Sequence, residues 1–437
     1  MEKYINQKIQ IVFREEDIPL LDERSRLCCR MYNELLDLLI EDRKVGEPHN
    51  FLKNNNLRNQ VPKIKEEKHE YYLVHNRPLK SAGERLKIAY ENFVYHGKKF
   101  PKYHSWKRNW FSLLYDSLEA FKIEGKEVQI VIGSSFDEKG RHWVKVHGIL
   151  KEDIMKHKEI KTIRIIKEQN KFYLNVCMIK EYLYEYPKTG KSIAIDPNIS
   201  NFFVGIDNEG HSIKIRQLGM MEYFEKQISK VKAKRDKCDN KAKLILHNDG
   251  RKEYAPSNRW TYLNDRITKL FIKRKAQVKS ALYVIAKYLV KEYDVIAIGN
   301  YYAKHTNNFI GQAMKRKMLD ESEIGEFRRI LKITCEKYGK AFIRVDERKT
   351  TKKCFNCGYE ESKSPDIRKF LCPNCNKIYD RDVNSAINIG TKAGLWNGEK
   401  FARYELEQID QEFEYTIYGS RQPWSVSLSA ARSCLKL

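Results

Sequence analysis

Four cysteines constrain the fold of this chain more than any other feature. They form two Cys-x-x-Cys pairs separated by fourteen residues: Cys354, Cys357, Cys372 and Cys375. Two such pairs present four thiolates tetrahedrally to zinc, at Zn–S distances of about 2.3 Å. Gly358 and Pro373 are expected to supply the tight turns. Two disulfides or four unrelated thiols are the alternatives, and both fit poorly with the scattered placement of the other cysteines, which indicates a reducing compartment. Four thiolates leave no open coordination position, so we expect a structural zinc.

The net charge narrows the range of partners. The chain has 437 residues, with 83 Lys plus Arg against 58 Asp plus Glu, which gives +25. Such an excess repels itself in a compact body unless a polyanion neutralises it, so nucleic acid is the expected partner. No apolar run reaches the roughly 18 residues of a membrane span, and the first ten residues do not resemble a signal peptide. These observations argue against an acidic-protein binder, a membrane enzyme and a secreted disulfide scaffold.

Hydrophobic periodicity divides the chain into two parts on either side of a turn-rich linker at 186–190. In the first part, a period-2 pattern at 1–15 gives way to helical spacing over 16–125 and returns from 126, which predicts a β-barrel-like domain interrupted by a helical insertion. In the second part, an apolar strand ending at Asp196 opens a meander. It is followed by a long charged helical stretch at 218–293, a strand at 295–298, a helical segment at 320–338 and a strand at 341–345.

Two aspartates are candidates for phosphodiester chemistry. Asp196 ends a short apolar strand, so we expect it at the carboxyl end of a sheet, facing solvent; a common Asp-Pro turn is the alternative. Asp382 begins an amphipathic helix, where an N-cap role is the alternative. Together the two aspartates make a catalytic role more plausible than either does alone. Phosphodiester hydrolysis uses several carboxylates that bind divalent metal ions about 3.5–4 Å apart. Magnesium suits such oxygen ligands.

These motifs together resemble a known family. The strand carrying Asp196, the four-cysteine ribbon and the DRDVNSAINI segment that follows it look like TnpB, the transposon-encoded RNA-guided nuclease related to Fanzor proteins and miniature type V CRISPR effectors. The segment 100–108 is similar to a Pro-plus-basic motif of that family, and 345–354 is similar to the lead-in to its ribbon. The resemblance is strong over about 190–392 and only architectural over 1–190.

The resemblance implies a multidomain α+β and α/β fold. Its expected parts are a β-barrel-like wedge domain at 1–15 and 126–187, a helical recognition insertion at 16–125, an RNase H-like RuvC nuclease domain at 188–349 and 379–395, a zinc ribbon that binds target nucleic acid at 350–378, and a C-terminal tail at 396–437. A cytoplasmic, nucleoid-associated protein of a prokaryote is expected.

One departure from the family pattern concerns the third carboxylate. Most members have a glutamate after the strand at 295–298, where this chain has Gly299-Asn300. Some relatives carry the acid shortly before the ribbon instead, and Glu347 stands at that place. Neighbouring strands lie about 4.8 Å apart, so Glu347 would start roughly 10 Å from the Asp196 strand, a gap that a long side chain can largely cover. A surface role for Glu347 is the alternative, and three further acids are rivals: Glu321, Glu323 and Glu326.

Two basic runs are candidates for nucleic-acid contact. The first interleaves cations with aromatic residues, which suits phosphate neutralisation and base stacking. The second lies on the long charged helical stretch, where the alternative to nucleic-acid contact is an ordinary solvent-exposed helix face. The candidate residues are Lys98, Lys99, Lys102, Lys107 and Arg108 in the first run, and Lys232 and Arg235 in the second.

The function implied by the resemblance is RNA-guided DNA cleavage. A bound guide RNA would pair with double-stranded target DNA next to a short flanking motif. Asp196, Glu347 and Asp382 would hold catalytic magnesium. A nucleotide cofactor is not expected, because the P-loop-like segment at 185–192 has Glu185 where that motif needs glycine. Two other hypotheses remain open: a nuclease-inactive RNA-guided transcriptional repressor, and a zinc-ribbon protein that binds nucleic acid without a guide.

Overall fold

The structure is a computed structural model. It describes residues 4–45, 56–106, 111–138, 140–155, 159–168, 171–179, 186–198, 201–238, 241–246, 252–300, 323–362, 367–401 and 409–413. The chain divides into two compact units, Met1–Tyr182 and Leu183–Leu437, close to the predicted linker. Each unit is described by itself.

In its described residues, the first unit combines one antiparallel sheet with three long helices. Its elements are β1 (Tyr4–Phe13), α1 (Asp17–Val45), α2 (Asn56–Glu67), α3 (Asn76–His96), β2 (Ser112–Tyr115), β3 (Phe121–Glu124), β4 (Glu127–Asp137), β5 (Gly140–Leu150), β6 (Ile160–Glu168) and β7 (Lys171–Ile179). The seven strands lie in the order β2-β6-β7-β1-β5-β4-β3. Because β1 pairs with both β5 and β7, the strand that precedes the helical segment lies in the middle of the sheet.

Alternation along the strands builds the core of this unit. Ile9, Ile11 and Phe13 of β1 are buried, as the period-2 pattern predicts. A 3₁₀ turn at His69–Leu73 packs so closely on β4 that a β-carbon at Gly133 would collide with the backbone of that turn. Glycine is therefore required at this bulged position, where the strand bends.

The predicted helical range at 16–125 needs a correction at its C-terminal end. The helices of this range end at His96, and β2 and β3 are strands of the sheet. Each has only four residues, so alternation has little room to show: Leu113 and Tyr115 are buried on one side of β2. Short strands that follow long helices are hard to distinguish from loops by periodicity.

The second unit is built on a mixed sheet. Its elements are β8 (Ser192–Pro197), β9 (Phe203–Asp207), β10 (Ser212–Ile215), α4 (Gly219–Asp236), β11 (Lys243–Leu246), β12 (Lys252–Ala255), α5 (Asn258–Glu292), β13 (Val295–Gly299), α6 (Ile324–Lys337), β14 (Ala341–Val345), β15 (Lys369–Leu371), β16 (Ile378–Asp380), α7 (Arg381–Lys392) and β17 (Gln411–Phe413). The main sheet has the order β14-β13-β8-β9-β10-β17. Strands β13 and β14 run parallel to β8, which confirms the predicted neighbourhood of these three strands.

Helices cover both faces of this sheet. Ile193 and Ile195 of β8 point into a core with α4, α5 and α6. Ala194 points to the opposite face, where it packs with Ala297 and Ile389 of α7. The small side chains let α7 approach β8 and β13 closely.

The predicted helical stretch at 218–293 is not continuous. It consists of α4 and α5 with the hairpin β11–β12 between them. Leu244, Ile245 and Leu246 of this hairpin are exposed, so its apolar residues contribute to the hydrophobic pattern of the stretch without packing into a helical core.

The C-terminal region adds one strand to the main sheet. β17 pairs in parallel with β10, and the Asp410 carboxylate accepts hydrogen bonds from the backbone amide and the hydroxyl of Ser212. The predicted fold class, a multidomain α+β protein with a four-cysteine ribbon, is confirmed. No helix in the described part of the chain combines the length and the apolar character that a bilayer crossing requires.

Candidate active site and metal centre

Asp196 lies at the carboxyl end of β8, in the middle of the main sheet. Ile195 pairs with Ile298 of β13, so Asp196 is level with Gly299. Its side chain is on the face covered by α7, where Ser385 hydrogen bonds to the carboxylate. Because α7 covers it, Asp196 is only 6% exposed. The expectation that it faces solvent is therefore wrong.

Asp382 lies in the first turn of α7, and a different residue caps that helix. The Asp380 carboxylate accepts hydrogen bonds from the backbone amides of Asp382 and Val383, at 2.8 and 3.1 Å. This is the N-cap geometry, in which a side-chain oxygen satisfies amides that have no intrahelical partner. The N-cap alternative for Asp382 is wrong, and its carboxylate is available for other contacts.

Two arginines and an asparagine hold the Asp382 carboxylate. Arg368 donates to Oδ2 at 2.8 Å, and Asn198 donates to the same oxygen at 3.3 Å. Arg381 donates to Oδ1 from Nε and Nη2, at 3.3 and 3.2 Å. Asp382 is 3% exposed, so these cations offset the cost of burying its charge. Arg381 therefore helps to hold the Asp382 carboxylate in place.

Glu347 reaches the space beside Gly299. A β-carbon built on Gly299 would overlap with Oε2 of Glu347, far inside any real contact distance. Asn300 holds the backbone near this carboxylate, since its Oδ1 accepts a hydrogen bond from the Glu347 amide at 3.3 Å and its own amide donates to the Val345 carbonyl at 2.8 Å. The carboxylate of Glu347 thus lies where a side chain at 299 would begin.

The three carboxylates interact electrostatically. Burial raises the pKa of Asp196 well above its usual value, and the negative charges of Asp382 and Glu347 raise it further. A search of the described residues finds groups of His, Cys, Asp and Glu whose ligand atoms all lie within 4.8 Å of one another. The three carboxylates are not one of these groups. Three carboxylates that repel one another offer oxygen ligands of the kind that a divalent cation such as Mg²⁺ prefers.

The rival acids have other surroundings. Glu326 binds Arg329 through both carboxylate oxygens, and Glu323 lines a groove between α5 and α6 near Arg274. Neither is among the groups that raise the pKa of Asp196. Glu321 lies outside the described residues.

The four ribbon cysteines meet in a cluster suited to zinc. Their sulfur atoms all lie within 4.8 Å of one another. The distance from Cys354 Sγ to Cys375 Sγ is 3.8 Å, and that from Cys357 Sγ to Cys372 Sγ is 3.6 Å. A tetrahedral ion with Zn–S bonds of about 2.3 Å places its sulfurs about 3.8 Å apart. The cluster therefore fits a four-coordinate zinc.

The two knuckles repeat one backbone geometry. In the first, the Gly358 amide donates to the Cys354 carbonyl at 3.0 Å; in the second, the Asn376 amide donates to the Cys372 carbonyl at 2.8 Å. Gly358 has φ 76° and Asn376 has φ 55°, so both occupy the left-handed region. The expected turn residue of the second knuckle, Pro373, is replaced in this role by Asn376, a residue type that tolerates positive φ.

Comparisons with known proteins find similar sequences. Residues 325–389 match the family of Cas12f1-like TNB domains. TnpB-like protein L79 of Acanthamoeba polyphaga mimivirus is 30% identical over 227 residues, which cover 50% of this chain and 40% of that protein. A putative RNA-guided DNA endonuclease of Streptomyces pristinaespiralis is 22% identical over 326 residues, covering 73% of this chain and 71% of that protein.

Over about half of its length the chain resembles TnpB-like proteins. The cryo-EM structure of a Cas12f1–sgRNA–target DNA complex shares its fold, with a TM-score of 0.60 and 14% identity over 86% of this chain and 83% of that one. The matched region spans about two-fifths of the length of the mimivirus relative.

The candidate nucleic-acid residues of this TnpB-like protein have different surroundings. Lys98, Lys99 and Lys102 are exposed, whereas Lys107 and Arg108 lie outside the described residues. In the second run, Lys232 lies over the Phe271 ring, with 5.4 Å from Nζ to the ring centroid. Arg235 donates to Asp236 and Asn264 and lies over Trp260. The second run therefore packs partly between α4 and α5, and nucleic-acid contact by either run stays a prediction.

Sequence reasoning missed the polar side of α7. Ser385 and Asn388 are buried, and Asn384 hydrogen bonds to backbone atoms of Lys353 and Phe355, about thirty residues away. Their spacing of three and four residues, opposite an apolar stripe, is the signal that would have found them, because such residues share one helix face.

Proposed function

We propose that this TnpB-like protein is an RNA-guided DNA endonuclease with a magnesium-dependent site formed by Asp196, Glu347 and Asp382. The observation that carries the proposal is the position of Glu347: its carboxylate fills the space beside Gly299, from which the family's usual acid is missing. This relocation supports a complete carboxylate set rather than an inactivated one.

Each acid comes from a different element. Asp196 lies at the carboxyl end of β8, and Glu347 follows the carboxyl end of β14, with β13 between these two parallel strands. Asp382 extends from the first turn of α7. Arg368 and Arg381 orient the Asp382 carboxylate through their hydrogen bonds. Arg368 is 42% exposed, so we assign it a second contact with the phosphate of the DNA strand. Magnesium, when bound, would activate a water molecule and stabilise the leaving oxygen.

Guide RNA and double-stranded DNA are the proposed partners. The comparisons support this assignment. One relative is a putative RNA-guided DNA endonuclease, and the Cas12f1 protein of similar fold was solved in a complex with sgRNA and target DNA. The net charge of +25 suits a polyanionic partner. Within the proposal, the wedge and recognition regions at 1–187 read the flanking motif, and the zinc ribbon at 350–378 binds target nucleic acid. Exposed Lys98, Lys99 and Lys102 contact phosphates.

The test begins with the full chain expressed together with its flanking DNA, so that any bound RNA is recovered and sequenced. Supercoiled plasmids that match this RNA are then incubated with the complex, with and without magnesium. We expect magnesium-dependent cleavage that is lost in Asp196→Ala, Glu347→Ala and Asp382→Ala, and kept in Glu326→Ala as the matched control.

Other outcomes identify the other hypotheses. Guided DNA binding without cleavage would favour the nuclease-inactive repressor. Recovery of no discrete RNA would favour the zinc-ribbon protein without a guide. Cleavage that survives Glu347→Ala and fails in Glu323→Ala would show that a different acid completes the site.

A further inference from the structure

Glu347 is carried by a short segment that ends at the zinc ribbon. We call residues 346–353 the lead-in segment; it connects β14 to Cys354. The backbone amide and the hydroxyl of Thr350 both donate to the Glu347 carbonyl, at 3.2 and 2.7 Å. Lys349 adopts a left-handed conformation with φ 69°, which costs about 1 kcal/mol for a residue with a β-carbon. Such a conformation persists only where surrounding contacts fix the backbone.

The polar side of α7 supplies these contacts. Asn388 donates to the carbonyls of Thr350 and Lys353, at 2.8 and 2.7 Å. Asn384 donates to the Lys353 carbonyl at 2.9 Å and accepts from the Phe355 amide at 2.9 Å. Asn384 therefore hydrogen bonds to the backbone on both sides of Cys354. As a result, one face of α7 holds the lead-in segment and the first knuckle together.

The same helix face contacts Asp196. The Ser385 hydroxyl lies within hydrogen-bond distance of both the Asp196 carboxylate and Thr350 Oγ1, the second at 3.0 Å. Ser385 and Thr350 thus connect the side chain of Asp196 to the carbonyl of Glu347. Both hydroxyl residues are at most 1% exposed, so water does not compete for these bonds.

We propose that zinc in the ribbon sets the position of Glu347, with Thr350 as the positioning residue between them. An acid at 299 would stand on β13, which hydrogen bonds to strands on both sides. Glu347 instead stands on a segment whose far end, Cys354, is a zinc ligand. Loss of zinc releases that end and lets the glutamate leave the carboxylate site. This inference rests on the proposed function of that site.

Two measurements on the full chain test the coupling without relying on cleavage. Hydrogen–deuterium exchange is measured on protein whose zinc has been removed by a chelator that is then dialysed away. We expect amides of 345–353 to exchange at least about tenfold faster, while those of α5 stay unchanged. Mn²⁺ affinity, measured by electron paramagnetic resonance, should fall about tenfold on zinc removal and in Thr350→Val, as for other groups that orient metal ligands. Thr350→Ser should restore it.

A double variant is the matched control. Gly299→Glu combined with Glu347→Ala returns the acid to β13. The second substitution removes the Glu347 carboxylate, whose Oε2 would otherwise collide with a side chain at 299. The Mn²⁺ affinity of the double variant should depend less on zinc and on Thr350 than that of the wild type, since only the contacts to Asp382 and Asp196 remain linked to the ribbon and to Thr350. The inference is overturned if the double variant shows the zinc dependence of the wild type, or if zinc removal leaves exchange at 345–353 unchanged. Absence of cleavage in every protein, with the coupling intact, would overturn only the proposed function.

Discussion

Oε2 of Glu347 occupies the space that a β-carbon on Gly299 would take. Gly299 ends β13 and pairs with Val345, the last residue of the neighbouring strand β14, and Glu347 follows two positions later. A glutamate at either position can therefore place its carboxylate in the same space beside Asp196, although the two side chains start from different parts of the backbone. The chain has room for one such side chain and not for two.

Because only one of the two positions can carry the acid, moving the glutamate from 347 to 299 has a predictable result. Glu347→Ala should reduce cleavage by two or more orders of magnitude, because the site loses one of three carboxylates. Gly299→Glu alone should destabilise the fold, since its side chain meets Glu347. The double variant Gly299→Glu/Glu347→Ala should regain cleavage, measured as initial rates on a matched plasmid. A double variant that folds and binds DNA yet stays as inactive as Glu347→Ala would contradict the shared-volume argument.

The cysteine cluster predicts one zinc per chain. Cys372 is fully buried in the ribbon, so Cys372→Ser should remove the zinc that mass spectrometry of the native protein detects. Cys238, half-buried and outside the ribbon, provides the control. Cys238→Ser should keep a full complement of metal, and equal zinc loss in both variants would argue against a four-thiolate site.

The helix cap predicts a stability difference between two substitutions at one position. Asp380→Ala removes the acceptor for the amides of Asp382 and Val383, so the free energy of unfolding should fall by about 1 kcal/mol. Asp380→Asn keeps an acceptor oxygen and should change it by much less. Urea unfolding measures both variants, and equal losses would mean that the charge of Asp380, rather than its capping bonds, matters.

His75 predicts acid sensitivity of the first unit. Burial, with help from the positive charges of Lys65 and Arg77, lowers the pKa of His75 from 6.5 to about 4. The unfolded chain therefore binds a proton more readily than the folded one, so stability is lost as pH falls from 6.5 to 4 and is unaffected above 6.5. His75→Asn removes this loss and keeps a capping acceptor for the Arg77 amide. Unfolding midpoints at pH 7.5 and pH 5 should differ less in the variant, and an identical pH dependence would refute the assignment.

Local patterns made part of the site predictable. Asp196, Asp382 and the four cysteines stand in short motifs whose residue types and spacing already indicate metal chemistry. Glu347 was predicted because the resemblance to a family exposed the missing acid at Gly299. Periodicity also located most strands of both sheets, since their buried faces alternate.

Contacts between distant segments were not predictable in this way. Asn388 bonds to Thr350 across 38 residues, and Arg368 reaches Asp382 through the fold of the ribbon. A polar residue in a helix carries no sign of its partner until the helix is docked. The cap role of Asp380 was missed for a similar reason: two aspartates, Asp380 and Asp382, stand near the helix start, and only backbone geometry distinguishes them.

The strand β17 has a consequence for the solubility of shortened chains. It covers the outer edge of β10, whose amides and carbonyls would otherwise be open to water. A chain cut before residue 409 would expose that edge as a template on which strands of other molecules can assemble. Truncations intended to yield a minimal nuclease should therefore retain residues 409–413, or aggregation would obscure any loss of activity.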